Sequence, residues 1–199
     1  MPLQNRVTPF SSIETSPARG TLTGNRGILH GPHRNLLTQG WRTKAWICCT
    51  LTYKNVRRVP MTPGTWTELF FLDEPTALAA GHRPCACCRR AAFKAFLSAS
   101  GFDRAPKLDA QLHAERLGPK IFADPNTLPD FAFVELDGTA WMKRGLELLE
   151  WSHFGYSNRM AARDVATARV LTPQTTIAAL RNGYRPMPVS LPVQFGSHV

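Results

Sequence analysis

No stretch of the 199-residue sequence approaches the roughly 18 consecutive apolar residues of a membrane-spanning helix, so none is expected. The first twenty residues, MPLQNRVTPFSSIETSPARG, lack the basic start, apolar centre and small-residue cleavage site of a secretory signal, and the expected compartment is the cytoplasm. Acidic residues are scarce: 14 Asp and Glu stand against 24 Lys and Arg, giving a formal charge of +10. That imbalance favours encounter with polyanions, of which nucleic acid is the commonest. A disulfide framework is missing too, because the five cysteines are odd in number and crowded into Cys48-Cys49 and Cys85/Cys87/Cys88. The glycine-rich run ARGTLTGNRGILHGPHR lacks the GxxxxGK[ST] order of a nucleotide-phosphate loop. There is no internal repeat and no low-complexity tract.

The chain is long enough for one globule with a buried core, and its 43% hydrophobic share fits that class. Residues 1–40 carry Arg6, Arg19, Arg26 and Arg34 against a lone Glu14 amid Pro, Gly, Asn and Thr, and residues 1–43 read as an irregular basic arm packed on the body. After Lys44, AWICCTLTY reads as a strand and TWTELFFL (65–72) as its hairpin partner, across a turn containing Pro60, Pro63 and Gly64. Asp73 as N-cap, Pro75 in the first turn and Gly81 at the end predict a short helix over ALAA. A second helix runs from near Cys87 to Gly101 with Phe93, Phe96 and Leu97 on one face. A third, about 107–117, puts Asp109, His113 and Arg116 on one side and Leu108 and Leu112 on the other. Beyond Pro129, FAFVEL, the Asp137-Gly138 turn, TAWMKR and LELLEW form a meander. Residues 153–165 read as a polar loop, ATARVL as a further strand, QTTIAALRN as a helix opened by Thr172-Pro173, and the tail from Pro186 as extended. The expected class is α+β: the arm (1–43), a zinc-centred β-hairpin/helix unit (44–120), and a small antiparallel meander with a terminal helix and extended tail (121–199).

Cys85-x-x-Cys88 supplies two zinc ligands from one tight turn. Pro84 disfavours helix at Arg83, and the helix that follows aims backbone N–H groups at the thiolates. Neighbours in a strand face opposite ways, so one of Cys48 and Cys49 is the third ligand. Cys49 shares its face with Ile47, Leu51 and Tyr53, read as the inward side, and is the expected one. The fourth is His82, three residues before Cys85, with His30 or a bulged Cys48 as alternatives. A thioredoxin-like redox motif would directly follow a parallel strand, whereas this one follows a short helix and Arg-Pro.

The run ELFFLDEPTALAAGHRPCACCRR, Glu68 to Arg90, resembles the second half of the zinc-binding domain of the bacterial Ada protein: paired aromatics ending a strand, a short Ala-rich helix, then Gly-aromatic-Arg-Pro-Cys-x-x-Cys-Arg. With Cys48-Cys49 near the position of that family's first cysteine pair, the resemblance spans about 44–97. It implies a zinc-thiolate site facing the DNA backbone, with Cys85 and Cys88 as ligands; in that family one ligand thiolate accepts a methyl group from a methylphosphotriester. Here Cys48 and Cys49 are adjacent rather than three residues apart, and His82 stands in place of the aromatic. A Cys3His zinc complex carries about −1 rather than −2, which makes its thiolates poorer nucleophiles.

The expected function is zinc-dependent DNA binding, in damage recognition or repair, with Arg83, Arg89, Arg90 and Lys94 beside the cysteines and Arg26 of the arm on phosphates. Methyl acceptance would fall to Cys48 or Cys49. A rival is a metal-dependent nuclease or hydrolase using His30, His113 and Glu115. A third reading is a protein-interaction zinc module. An open zinc position marks the enzyme and a closed one the binding module.

Overall fold

The computed structural model describes residues 1–54 and 59–187. At its centre is helix α1 (Glu74–Ala79), all six residues of which are buried. Local sequence sets both of its ends. Asp73 Oδ1 accepts from the Thr76 N–H at 2.9 Å and the Thr76 hydroxyl at 2.7 Å, and Pro75 sits in the first turn, where no N–H is required. Gly81 follows the helix at φ +80°, a conformation a side chain would strain. Small residues around this helix let three layers approach it. Ala77 and Ala80 pack with Leu22, Cys48, Leu69 and Phe71. Leu78 packs with Phe96, Leu108, Leu112 and Leu180. Ala79 meets Phe133, Met142 and Leu149.

The fold is α+β, with two antiparallel-rich six-stranded sheets and four α-helices among the described residues. The first sheet comprises β1 (Gln4–Val7), β2 (Ile13–Thr15), β3 (Leu22–Asn25), β4 (Ile47–Thr50), β5 (Leu69–Phe71) and β6 (Arg83–Pro84), in the order β2-β1-β5-β3-β4-β6. Two expectations are corrected here. Residues 1–43 are not an irregular arm, since they contribute β1, β2 and β3. Nor do β4 and β5 form a hairpin, because β3 lies between them and pairs with both; part of the expected turn (55–58) is outside the described residues. Gly24 makes that insertion possible: a Cβ there would stand 2.1 Å from the Ile47 carbonyl oxygen. A glycine within a four-residue strand reads as loop in the sequence.

The second sheet has the order β11-β10-β9-β8-β12-β7 and comprises β7 (Phe122–Ala123), β8 (Phe133–Leu136), β9 (Thr139–Arg144), β10 (Glu147–Ser152), β11 (Gly155–Ala161) and β12 (Ala168–Val170). The β8–β9 turn has positive φ at Asp137 (49°) and Gly138 (77°), as the Asp-Gly pair predicts. Strand β11 replaces the polar loop expected at 153–165. It is an edge strand whose Ser157, Asn158 and Arg159 are exposed, so its composition resembles that of a loop. Helices α2 (Arg90–Ala99), α3 (Ala105–Leu117) and α4 (Gln174–Arg181) pack at one end of α1. The tail from Pro188 on lies outside the described residues.

A buried polar network ties these parts together. Glu74, 1% exposed, accepts from Arg89 Nη2 at 2.5 Å, from the Met187 N–H at 2.7 Å and from the Tyr184 hydroxyl. Arg89 also directs Nη1 at Cys48 Sγ, 3.6 Å away. Removing one partner of such a pair leaves an uncompensated buried charge. Arg89→Met should therefore lower unfolding free energy by about 3 kcal/mol or more, whereas Arg90→Met on exposed surface should change it by about 0.5 kcal/mol or less; urea denaturation of both variants measures the contrast.

Candidate metal centre

Three cysteine sulfurs converge beside the edge of the first sheet. Cys49 is on β4, Cys85 and Cys88 are in the turn between β6 and α2, and their Sγ atoms lie within 4.8 Å of one another. Backbone pairing brings them together. Strand β6 runs parallel to β4, with Ile47 opposite Arg83 and Cys48 opposite Pro84, and the Cys85 N–H donates to the Cys48 carbonyl at 2.9 Å. The chain then turns through the Arg89 N–H bond to the Cys85 carbonyl, 3.0 Å, and α2 begins.

Three sulfur donors within such reach could bind a metal ion, and the soft set suits zinc, copper(I) or iron–sulfur chemistry rather than magnesium or calcium. The Cys87 N–H lies 3.4 Å from Cys85 Sγ and supports a thiolate there. The Cys85 thiol is pulled down to about 5 by a hydrogen bond from Cys49 and by the backbone N–H groups of Cys88 and Cys87, against the opposing effect of burial. Cys49 is pushed up, first by giving that bond to Cys85 and then by burial. A metal ion bound there would displace the proton that Cys49 holds.

The trio opens onto a cavity of about 390 Å³ that Thr23, Asn25, Tyr53, Trp66, Glu68 and Phe70 help to line. Glu68 is only 4% exposed, and its Oε2 accepts from the Met61 N–H at 2.7 Å. Tyr53 and Cys87, both exposed, line the same cavity. The sequence reading passes over Glu68 and Phe70 as site residues. The available signal is the period of two in ELFF, which sets Glu68 and Phe70 on one side and Leu69 and Phe71, both core residues, on the other.

Of the four expected ligands, the structure brings together Cys49, Cys85 and Cys88, and leaves His82 out. Alternation along β4 is as expected but its direction is reversed: Cys48, 0% exposed, faces the core, and Cys49 faces the open cavity. His82 is also fully buried, accepts from Arg26 Nε at 3.2 Å, and packs against Trp46 and Phe71 at centroid distances of 5.1 and 4.7 Å. His30 is engaged by the Thr67 hydroxyl at 2.7 Å and the Thr62 carbonyl at 3.1 Å. Among the described residues no fourth His, Cys, Asp or Glu joins the trio within the same reach.

The residues of the hydrolase reading are not assembled. His113 packs edge-on against Trp41 at 4.3 Å, and Glu115 accepts from the Thr175 N–H at 3.0 Å and hydroxyl at 2.6 Å at the start of α4. Three of the five expected phosphate-binding cations are buried and engaged within the fold. Arg83 grips Asp109 through two bonds of 2.7 and 2.8 Å, Arg89 holds Glu74, and the Arg26 guanidinium lies 3.8 Å from the Trp46 ring centroid. Arg90 and Lys94 are exposed on α2.

No protein-family model, no curated protein and no solved structure matches the chain. No helix among the described residues is long and apolar enough to cross a membrane.

Substituting serine for Cys49, Cys85 or Cys88 should abolish tight metal binding, and Cys48→Ser should retain it at one ion per chain, measured by metal analysis after dialysis. The raised Cys49 value fixes the sign of the pH effect. Below it the free site carries a proton that the metal expels, so affinity should climb about tenfold per pH unit per proton released between pH 6 and 8, and acid should release the ion.

Proposed function

We propose that the chain is a zinc-thiolate protein that binds nucleic acid, DNA in the first place, across the open face of its first sheet and brings it to the cysteine trio, in damage recognition or repair. The observation that carries this reading is that the cavity onto which Cys49, Cys85 and Cys88 open is lined by the aromatic rings of Trp66 and Phe70 and lies beside a helix with exposed cations. Zinc held by three thiolates would supply Lewis acidity at its remaining position. The charge of +10 supports a polyanionic partner, and Arg90 and Lys94 are exposed on the helix that follows the trio.

A second reading, metal-assisted hydrolysis, is favoured by two observations: no fourth side chain among the described residues closes the trio, and Glu68 lines the same cavity as the three thiols. A carboxylate there is a candidate to hold or move a proton. In this reading it takes the place of His30, His113 and Glu115.

The DNA reading expects affinity that falls steeply with salt as lysine and arginine displace phosphate counterions. Fluorescence anisotropy with single- and double-stranded oligonucleotides at 50 and 200 mM salt should show at least a tenfold loss; no binding at either concentration overturns the reading. Methyl transfer is not expected, since three thiolates with a neutral fourth ligand leave the complex near −1. Intact mass after incubation with methylphosphotriester DNA should be unchanged. A gain of one methyl group at Cys49 would make the protein a self-inactivating repair factor.

A further inference from the structure

A second cavity, also of about 390 Å³, adjoins the thiol cavity and shares Leu51, Pro60 and Phe70 with it. Its polar side chains are Asn5, Arg6 and Arg19, and no carboxylate lines it. Arg6 is held in place from three sides. Its Nε donates to the Ala18 carbonyl, its Nη1 to Asn5 Oδ1, and its guanidinium carbon lies 5.0 Å from the Phe70 ring centroid. Its Nη2 has no acceptor among the described residues, and neither Arg6 nor the exposed Arg19 forms an ion pair there.

We infer that this second cavity is a phosphate seat, and that it and the thiol cavity are the two ends of one groove occupied by a single phosphate ester. A guanidinium fixed by its neighbours, with a free N–H edge and a second guanidinium beside it, matches the multiple acceptor oxygens of a phosphate. The two cations oppose each other until an anion arrives: Arg6 is lowered from its ordinary value by burial and then by Arg19. Sheet register gives the groove its length. Arg6 is opposite Phe70, Phe70 opposite Thr23, and Thr23 opposite Cys49, so one row of side chains crosses β1, β5, β3 and β4. Three inter-strand steps of about 4.8 Å separate its ends by about 14 Å. Phe70, midway, offers an aromatic ring beside the path of the ligand.

The identity of the ligand rests on the nucleic-acid reading; the seat itself does not. The experiment therefore uses three probes on the zinc-loaded protein: inorganic pyrophosphate, a nucleoside monophosphate and a 5′-phosphorylated single-stranded oligonucleotide, the first two followed by calorimetry and the third by anisotropy. The variants are Arg6→Gln, Arg19→Gln and Arg19→Glu. Arg19 makes no hydrogen bond within the described fold, so its charge reversal tests the seat without threatening folding. Arg19→Glu should weaken pyrophosphate and oligonucleotide at least tenfold, lower the salt slope of oligonucleotide binding by about 1, and leave zinc content unchanged. Wild-type affinity and slope for the oligonucleotide in Arg19→Glu, or no pyrophosphate binding by the wild type, would overturn the seat while leaving the nucleic-acid reading intact. Binding of pyrophosphate and the monophosphate that is lost in Arg19→Glu, with no oligonucleotide bound by any form, would keep the seat, assign it to a small phosphate ester and remove the nucleic-acid reading.

Discussion

The candidate centre depends on the backbone pairing of β6 with β4, made by the Arg83 N–H on the Trp46 carbonyl and the Cys85 N–H on the Cys48 carbonyl. That parallel pairing is only two residues long, and a strand that short has little cohesion of its own. Arg116 supplies what pairing alone does not. From α3 it donates to the Gly81 carbonyl at 2.9 Å and to the Lys44 carbonyl at 2.8 Å, clamping the chain just before β6 to the chain just before β4. Gly81 belongs to the same clamp, because a Cβ there would stand 2.7 Å from Arg116 Cδ. Register error at this point would separate the Cys-x-x-Cys turn from Cys49, so the convergence of three sulfurs is a result of tertiary packing as much as of motif spacing.

That dependence explains where much of the positive charge goes. Trp46, just before β4, has two guanidinium groups against its ring, Arg26 at 3.8 Å and Arg116 at 4.2 Å from the centroid. Burial, then repulsion from Arg116, lowers Arg26 to about 9. Arg83 and Arg89 are likewise committed to Asp109 and Glu74. Arginine serves here as a long, flat, many-donor strut beneath the site. The net charge of the sequence therefore overstates the cations near the cysteines that can meet a ligand. Those that remain exposed, Arg19, Arg90 and Lys94 among them, are the ones that matter for a polyanion.

Legibility in the sequence followed the range of the interactions. The Asp73 cap, the Gly81 stop, the Asp137-Gly138 turn and the Cys-x-x-Cys turn are decided within a few residues, and each is readable from its own chemistry. Strands β1 and β3 are held by partners far along the chain, since Arg6 pairs with Phe70 and Gly24 with Cys48 and Leu69, and β2 pairs only with β1. Nothing local announces such strands when they are three or four residues long. The two faces of β4 show the same limit. Alternation says that Cys48 and Cys49 part company, but only the packing of α1 on the sheet decides that Cys48 goes to the core. His82 looks like a ligand because it stands three residues from Cys85, yet a buried neutral imidazole between Trp46 and Phe71 serves equally well as core once Arg26 satisfies one of its nitrogens.

The helix at the centre also decides which side of the first sheet can carry function. Its alanines bury Leu22, Cys48, Leu69 and Phe71, and by the strand period of two this consigns Thr23, Cys49 and Phe70 to the opposite face. Among the described residues that face receives no helix packed over it comparable to α1, and both cavities lie along it. Cys48 and Cys49, adjacent in sequence, therefore take unrelated roles. One sulfur sits beneath Arg89 as part of the core, and the other, half-buried, lines the cavity on the opposite face. The vicinal pair thus lets one short strand place one sulfur in the core and the other on the open face of the sheet.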